Sequence, residues 1–443
     1  MNRDPESPDQ APGTSPAGLR ERLESAGPLA MGIGLGINGL AAYIFLAAAG
    51  RALGAEDSGQ VSVLWASLYL VGTGLFLPIE QELSRSISAR RARGEPFGAL
   101  VSQVSRMGAV LFGGLAVLVL ALSPVLASAL FRGSFSFVLA LLYGILGVGL
   151  SYVVRGLLAG SGRYYGYATF FVVDASIKAI PALVLALAGV ASPMAFAIVV
   201  TSSAFIGSVA PMVRGTQIGG KGEPAPWGPL RRSFAHLLLT ALLTSVILNS
   251  GTIAVEVLAS DADGDKASIF LSGLVIARVP LFFFQAVQAF ILPRLSHHAA
   301  SDEMTEFRGL MRLLLIGIAG LTVVAVAFSA AVGPWLVELL FGSDFVLSAR
   351  DMGLLTLASM LMMTAMTVNQ AQIALHHQHE TGWPWGVAVV VFLLVTAVSS
   401  SDLLLRVELG MVAAAATVVA LAGTLLVKEL RHPDEHRDPQ VTL

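Results

Sequence analysis

The chain has 443 residues, of which 55% are hydrophobic and 13% charged, and its formal net charge is −2. A typical soluble domain carries about 25% charged residues, so a mean hydropathy of +0.76 excludes a soluble enzyme, a nucleic-acid-binding module and a secreted scaffold. The absence of cysteine excludes disulfides, thiolate metal sites and cysteine nucleophiles.

A spanning helix needs about 20 apolar residues, and runs of that length set the elements in chain order. Residues 1–26 form a polar cytoplasmic tail, expected to be disordered through Ser15, with a short interfacial helix near Gly18–Ser25. The tail lacks the basic region followed at once by an apolar stretch that marks a signal peptide. Six spans follow: Gly27–Gly50, Val61–Pro78, Met107–Ala127, Phe135–Leu158, Ala168–Gly189 and Pro193–Met212. A break over Arg214–Arg232, with Gly219, Gly220, Gly222, Pro224 and Pro226, separates them from six more. These are Phe234–Leu258, Ala267–Leu292, Leu310–Val332, Met352–Leu375, Trp383–Ser400 and Leu409–Val427. The fold class is therefore an all-α integral membrane protein of about 12 helices. The domain reading is a lobe over 27–213, a cytoplasmic linker over 214–232, a second lobe over 233–427 and a cytoplasmic tail over 428–443. The runs are continuously apolar rather than alternating, which selects helices over barrel strands.

Lysine and arginine set the orientation. With the N-terminus cytoplasmic, 20 of them fall inside and 5 outside, the rest being Lys178 and Arg278 within spans. This places both termini in the cytoplasm. The halves show faint correspondence: Leu77-Pro78 and Leu292-Pro293 end equivalent spans 215 residues apart. Two six-helix halves in the same orientation are the arrangement of parallel-repeat transporters, with the substrate site between them near mid-membrane.

Several segments carry a resemblance. The fourth span closes with Arg155-Gly156-Leu157-Leu158-Ala159-Gly160-Ser161-Gly162-Arg163-Tyr164-Tyr165. The eighth reads Ala277-Arg278-Val279-Pro280 through Leu292-Pro293-Arg294-Leu295-Ser296. Leu340-Phe341-Gly342 follows the ninth, and Gly50-Arg51-Ala52-Leu53-Gly54 joins the first to the second. In order and spacing these resemble the polysaccharide flippase branch of the multidrug/oligosaccharidyl-lipid/polysaccharide exporter superfamily. The resemblance implies a V-shaped bundle of two six-helix lobes around a central cavity, alternating access, and an undecaprenyl-pyrophosphate-linked oligosaccharide as cargo. It also implies a plasma-membrane location and a place beside glycosyltransferases and a polymerase. The first helix has Gly32, Gly34, Gly36, Asn38 and Gly39 but no charge. It thus lacks the Arg-Asp pair of lipid II flippases and the acid of cation-coupled drug exporters.

Charge at mid-membrane costs about 2.5–3.5 kcal/mol on insertion scales, so the polar groups within spans are the candidate substrate-binding residues. Arg278 lies 12 residues after Lys266, roughly 18 Å deep at ~1.5 Å per residue. Gln285 and Gln288 fall on the same face of the eighth helix. Such a stripe suits pyrophosphate, because guanidinium stays charged and forks onto phosphate oxygens; the rival role is packing against a carboxylate or helix carbonyls. Asp174 and Lys178, four apart, share a face. They form either a structural ion pair or a cargo-binding cation with an acid that tunes it, and Pro181 beyond them marks a bend. Arg155 and Arg163 flank the inner end of the fourth helix and serve either orientation or lipid phosphate. Asn38, Asn249 and Asn369 offer interhelical hydrogen bonds or sugar contacts. Glu80 and Glu82 read as interfacial, or as a gating pair to arginines, and Glu256 sits near the outer end of the seventh helix.

Gly34-x-Gly36-x-x-Gly39 matches a dinucleotide fingerprint only in letters, since no strand precedes it. His376, His377, His379 and Glu380 read as a solvated loop rather than a metal site. Met360, Met362, Met363 and Met366 read as packing. No nucleotide phosphate loop is present, and neither cofactor nor metal is expected. The sequence reads as a flippase without catalytic chemistry. The alternatives are a cation-coupled exporter of small amphiphilic molecules, a membrane glycan polymerase or ligase, and a non-transporting assembly partner.

Overall fold

The structure, a computed structural model, describes residues 16–213, 220, 222–224, 227–260, 263, 265–281, 284, 295, 303–375 and 382–431. These are helical apart from short turns, as expected where the backbone must satisfy its own hydrogen bonds.

Helix α1 (Pro16–Val71) contains the first predicted span and the start of the second. The two arms meet at Gly54, whose φ of 73° is open to glycine. The chain reverses there. Phe45 and Trp65 stack with ring centroids 5.5 Å apart, whereas a straight helix would separate them by roughly 30 Å. A π turn (Gly72–Phe76) leads into α2 (Leu77–Ala92). There follow α3 (Gly98–Ala121), α4 (Ser123–Leu130), α5 (Phe135–Gly160), α6 (Tyr164–Leu187) and α7 (Pro193–Val213). The second half holds α8 (Trp227–Leu258), α9 (Lys266–Ala277), α10 (Met304–Phe341), α11 (Ala349–Ala374), α12 (Gly382–Val398) and α13 (Leu403–Arg431).

Nine helical stretches are long and apolar enough to cross a membrane, the first of which, Ala30–Arg91, holds two passes; the shorter apolar helices Lys266–Ala277 and Gly382–Val398 bring the described total to twelve. Some boundaries differ from the sequence reading. The third span is stepped at Leu122, where Pro124 opens α4. The eighth carries a turn: α9 ends at Ala277, Arg278 caps it with its amide still bonded to the Leu274 carbonyl at 3.1 Å, and helix resumes at Val279. Pro280 explains the stop, having no N–H to donate and a ring that crowds the carbonyl four residues back. By contrast α6 runs through Pro181 to Leu187 as one helix.

Loops segregate to two ends. At the Gly54 end, Gln60 donates to the Phe131 carbonyl at 2.9 Å, Arg132 to the Glu56 carbonyl at 3.1 Å and Arg350 to Asp402 at 2.9 Å. At the opposite, Gly162 end, the Gly98 amide donates to the Gly220 carbonyl at 3.0 Å, and Gly27 packs on Tyr164. This is the alternation that twelve passes demand.

Two six-helix lobes result. In the first, α1 lies on α6, and α5 lies on α2 and α7; in the second, α13 lies on α11 and α12. The lobes meet where α1 crosses α8 and α9. Arg51 donates to the carbonyls of Leu339 and Leu340 at the end of α10, Ser268 to the Ala55 carbonyl, and Arg132 pairs with Glu256 at 3.6 Å. These contacts seal the Gly54 end. At mid-depth Tyr43 donates to the Val275 carbonyl at 3.1 Å, and the π turn meets α8 through Thr73 and Ser245, 2.6 Å apart.

Small residues let helices approach where no hydrophobic effect drives them together. A Cβ at Gly156 of α5 would stand 3.0 Å from the Glu80 backbone of α2, and one at Gly160 is blocked in the same way by Ser84. Backbone cannot yield as a flexible side chain can. Gly156→Val is therefore expected to cost about 1–3 kcal/mol, the usual penalty of overpacking, read as a lowered melting temperature in detergent.

Candidate functional site

Two buried ion pairs lie within the first lobe. Asp174 and Lys178, one turn apart on α6, are 3.0 Å apart and both nearly inaccessible. Lys178 also donates to the side-chain oxygen of Asn38 at 3.2 Å and lies 5.6 Å from the centre of the Trp65 ring. The i, i+4 spacing read from sequence thus produces a pair, and α1 supplies the second acceptor.

The other pair joins Glu80 of α2 to Arg155 of α5 at 2.6 Å. Tyr167 donates to Glu80 at 2.7 Å, and the guanidinium sits 4.4 Å from the Tyr152 ring centre and 5.0 Å from that of Phe171. Such contacts favour a desolvated cation. Arg155 is therefore enclosed within the bundle rather than standing at its mouth. Glu80 is buried against Arg155, so it is paired with an arginine rather than left as a free surface acid. Glu82 is buried too, held by Arg85 at 2.6 Å and Ser86 at 2.7 Å. The aromatic enclosure was not read from sequence, because its members come from α2, α5 and α6.

Arg278 is different. It is half-buried, donates to the Leu248 carbonyl of α8, and has no carboxylate partner among the described residues. It borders a small cavity with Leu248, Leu281, Ser359 and Met362. It sits at a one-residue turn between α9 and the helical residues 279–281. Gln285 and Gln288 lie outside the described residues, as do His376, His377, His379 and Glu380. Among the described residues no group of three or more His, Cys, Asp or Glu is placed to hold a metal.

Tyr69 is the point on which these groups converge. It stacks on Trp65 at 4.9 Å and lies within electrostatic reach of Lys178, Asp174, Arg155 and Arg278. Although mid-helix and ringed by both lobes, it is 38% exposed. Asn38, Tyr43, Thr73 and Arg278 are half-exposed around the same lobe junction. These half-exposed polar groups, drawn from both lobes, mark the polar part of the lobe junction.

The asparagines divide. Asn38 serves Lys178; Asn249 donates to Ser245 of its own helix at 3.1 Å, beside the bond to the π turn. The carbonyl oxygen of Asn369 is buried without a hydrogen-bond partner among the described residues.

No protein-family model matches the chain. Among curated proteins it is similar to the uncharacterized protein Rv3630 of Mycobacterium tuberculosis, at 23% identity over 80% of this chain and 81% of the relative. It is also similar to the uncharacterized protein Rv1510 of the same organism, at 26% identity over 73% and 74%. Among solved structures it resembles an inward-facing multidrug resistance MATE family transporter of the MOP superfamily, with a TM-score of 0.68, 13% identity, and coverage of 88% of this chain and 96% of the other. The outward-facing conformation of such a transporter gives 0.65 at 13% identity, over 92% and 96%. A MOP superfamily transporter from Pyrococcus furiosus Vc1, described as having a binding pocket of reverse polarity that suggests a different function, gives 0.63 at 12% identity over 92% and 97%. The chain shares their fold.

Removing one partner from a buried ion pair strands the other, at a cost of about 3–5 kcal/mol. Asp174→Asn is thus expected to lower the melting temperature sharply, whereas the double change Asp174→Leu with Lys178→Met restores most of it. Equal losses in both variants would show that the stranded lysine is not the source of the loss.

Proposed function

We propose that the chain is a membrane transporter of the flippase type. It moves a polyprenyl-pyrophosphate-linked oligosaccharide, of the undecaprenyl class, between leaflets of the plasma membrane. The observation that carries the reading is Arg278, an intramembrane cation at the lobe junction that no described carboxylate neutralises. Such a charge is costly unless it meets an anion or water, and a pyrophosphate supplies several oxygens for a guanidinium fork. Lys178, held by Asp174 and Asn38, adds its charge beside Tyr69, and Asn38, half-exposed at the junction, offers polar contact to sugars.

The positive-inside count puts the Gly162 end, both termini and the 214–232 linker in the cytoplasm. On that orientation the sealed Gly54 end faces outward, and this conformation is closed to the outside. Cargo binding and leaflet gradients then bias the inward-open and outward-open states, with differential affinity for the two states doing the work. The six-helix halves 27–213 and 233–427 act as the moving bodies. The upstream partners are glycosyltransferases that assemble the glycan, and a polymerase consumes it.

The rival within transport is cation-coupled export of small amphiphilic molecules. It calls for an acid at the cargo site free to bind a cation, whereas Asp174 and Glu80, the buried acids of the first lobe nearest the junction cations, are each matched by a base. That related folds host pockets of differing polarity supports treating the pocket chemistry, rather than the fold, as the guide to cargo.

In proteoliposomes, Arg278→Ala is expected to reduce flipping of a fluorescent polyprenyl-pyrophosphate oligosaccharide by an order of magnitude or more, with Arg278→Lys retaining part of it. Undiminished flipping by a correctly folded Arg278→Ala protein would remove the basis of the assignment.

A further inference from the structure

The helix α13 carries a carboxyl to which the transport reading gives no task. Glu408 is fully enclosed, at 0% exposure, and neither of its carboxyl oxygens has a hydrogen-bond partner among the described residues. Its electrostatic neighbours are Asp351, Arg350 and Asp402. Arg350 is already committed, at 2.8 Å to Asp351 and 2.9 Å to Asp402. It holds the Asp402 carboxyl, in the turn before α13, below the usual carboxylate range. Asp351 additionally accepts the Ser348 amide at 2.9 Å. Two acids therefore share one arginine; Arg406, two residues from Glu408 on the same helix, donates to the Leu258 carbonyl and is not among the charges acting on Glu408.

The helices packed on α13 supply no other base at this depth. They are α8, α11 and α12. Helix α12 has no ionisable residue, and α11 has only Arg350 and Asp351. Helix α8 brings Glu256 to this end, paired with Arg132 of the other lobe, while its Arg231, Arg232 and His236 lie toward its far end. An ionised Glu408 would be a bare charge beside two carboxylates, and binding a proton removes that conflict. With Asp351 and Asp402 occupied by Arg350, the cluster is built for a proton rather than a metal.

We propose that Glu408 is a reversible proton-binding site whose ionisation loosens the seal between the lobes at the Gly54 end. The connection is short. Arg406, two residues before Glu408, donates to the Leu258 carbonyl at the end of α8 at 3.4 Å. Glu256, on the last turn of that helix, makes the ion pair to Arg132 across the lobes. Glu408 shifting toward water when charged moves α13 against α8, and α8 carries the seal. The inference does not depend on the identity of the cargo.

The chain has no cysteine of its own, so a pair of spin labels can be placed through Asp57→Cys and Ser343→Cys, both exposed and on opposite sides of the seal. In proteoliposomes the distance between labels is expected to lengthen as pH rises from mildly acidic to mildly alkaline. Glu408→Gln, which mimics the protonated acid, should hold the short distance throughout. Asp402→Asn, at an exposed turn, removes a neighbouring negative charge and should move the transition to lower pH. Infrared difference spectra between the parent and Glu408→Gln at the acidic end should show the carbonyl stretch of a protonated carboxylic acid. A distance that does not respond to pH in the parent would overturn the proposal. So would one that follows sodium instead, a Glu408→Gln protein that follows the parent curve, or a carboxylate signature at the acidic end. Should Glu408→Gln fail to fold, the parent titration and the Asp402→Asn shift still decide the matter, because an unmoved transition in Asp402→Asn contradicts it.

Discussion

The cost of placing charge in hydrocarbon governs this structure. On insertion scales it is about 2.5–3.5 kcal/mol for a residue at the centre of a span, and a buried partner left alone costs about as much again or more. The chain meets the constraint with pairs in its first lobe. Asp174 neutralises Lys178 within one helix, and Glu80 neutralises Arg155 between two, with aromatic faces closing around the arginine. Arg278 stands outside this arrangement, with only the Leu248 carbonyl as a described acceptor. Intramembrane cations of this kind pair with backbone carbonyls or face water or a ligand; the carbonyl bond is what the structure shows, and the anionic cargo is proposed from the lack of a carboxylate partner among the described residues.

Backbone geometry places these groups. The reversal at Gly54 folds the two arms of α1 together, so that Asn38 and Trp65 lie beside the same lysine of α6. Close approach at Gly156 brings Glu80 under the neighbouring Arg155. The π turn at Gly72–Phe76 widens the helix locally where Thr73 reaches Ser245 of the other lobe, and such turns recur where a helix must deform. The two kinds of contact differ in strength. The first lobe is locked by ion pairs, whereas the interface relies on single hydrogen bonds and one loose pair, Arg132 with Glu256.

The twelve passes and their alternation were legible in the sequence because hydropathy and the lysine and arginine bias are properties of consecutive residues. The Asp174 and Lys178 pair was legible for the same reason, being a one-turn spacing. The pairing of Glu80 with Arg155 was not, since 75 residues separate them and only packing brings them to one depth. The turn at Arg278 lies inside an apolar run, and Pro280 is the residue that marks it. Glu408 fell just before a predicted span, in a position that reads as interfacial until the packing of α11 over it is known. Tyr69 offered no sign at all: a tyrosine in an apolar helix is ordinary, and its position among four charged groups is a product of tertiary structure.

The central claim is that the lobe junction is a receptor for an anionic lipid headgroup. Native mass spectrometry of the purified protein with matched polyprenyl lipids tests it most directly, comparing the pyrophosphate with the uncharged alcohol of the same chain length. The account predicts that the pyrophosphate is retained at concentrations where the alcohol is lost. Equal retention of the two lipids would contradict it, since the bound lipid would then be held by its tail and the junction cations would have no part in recognition.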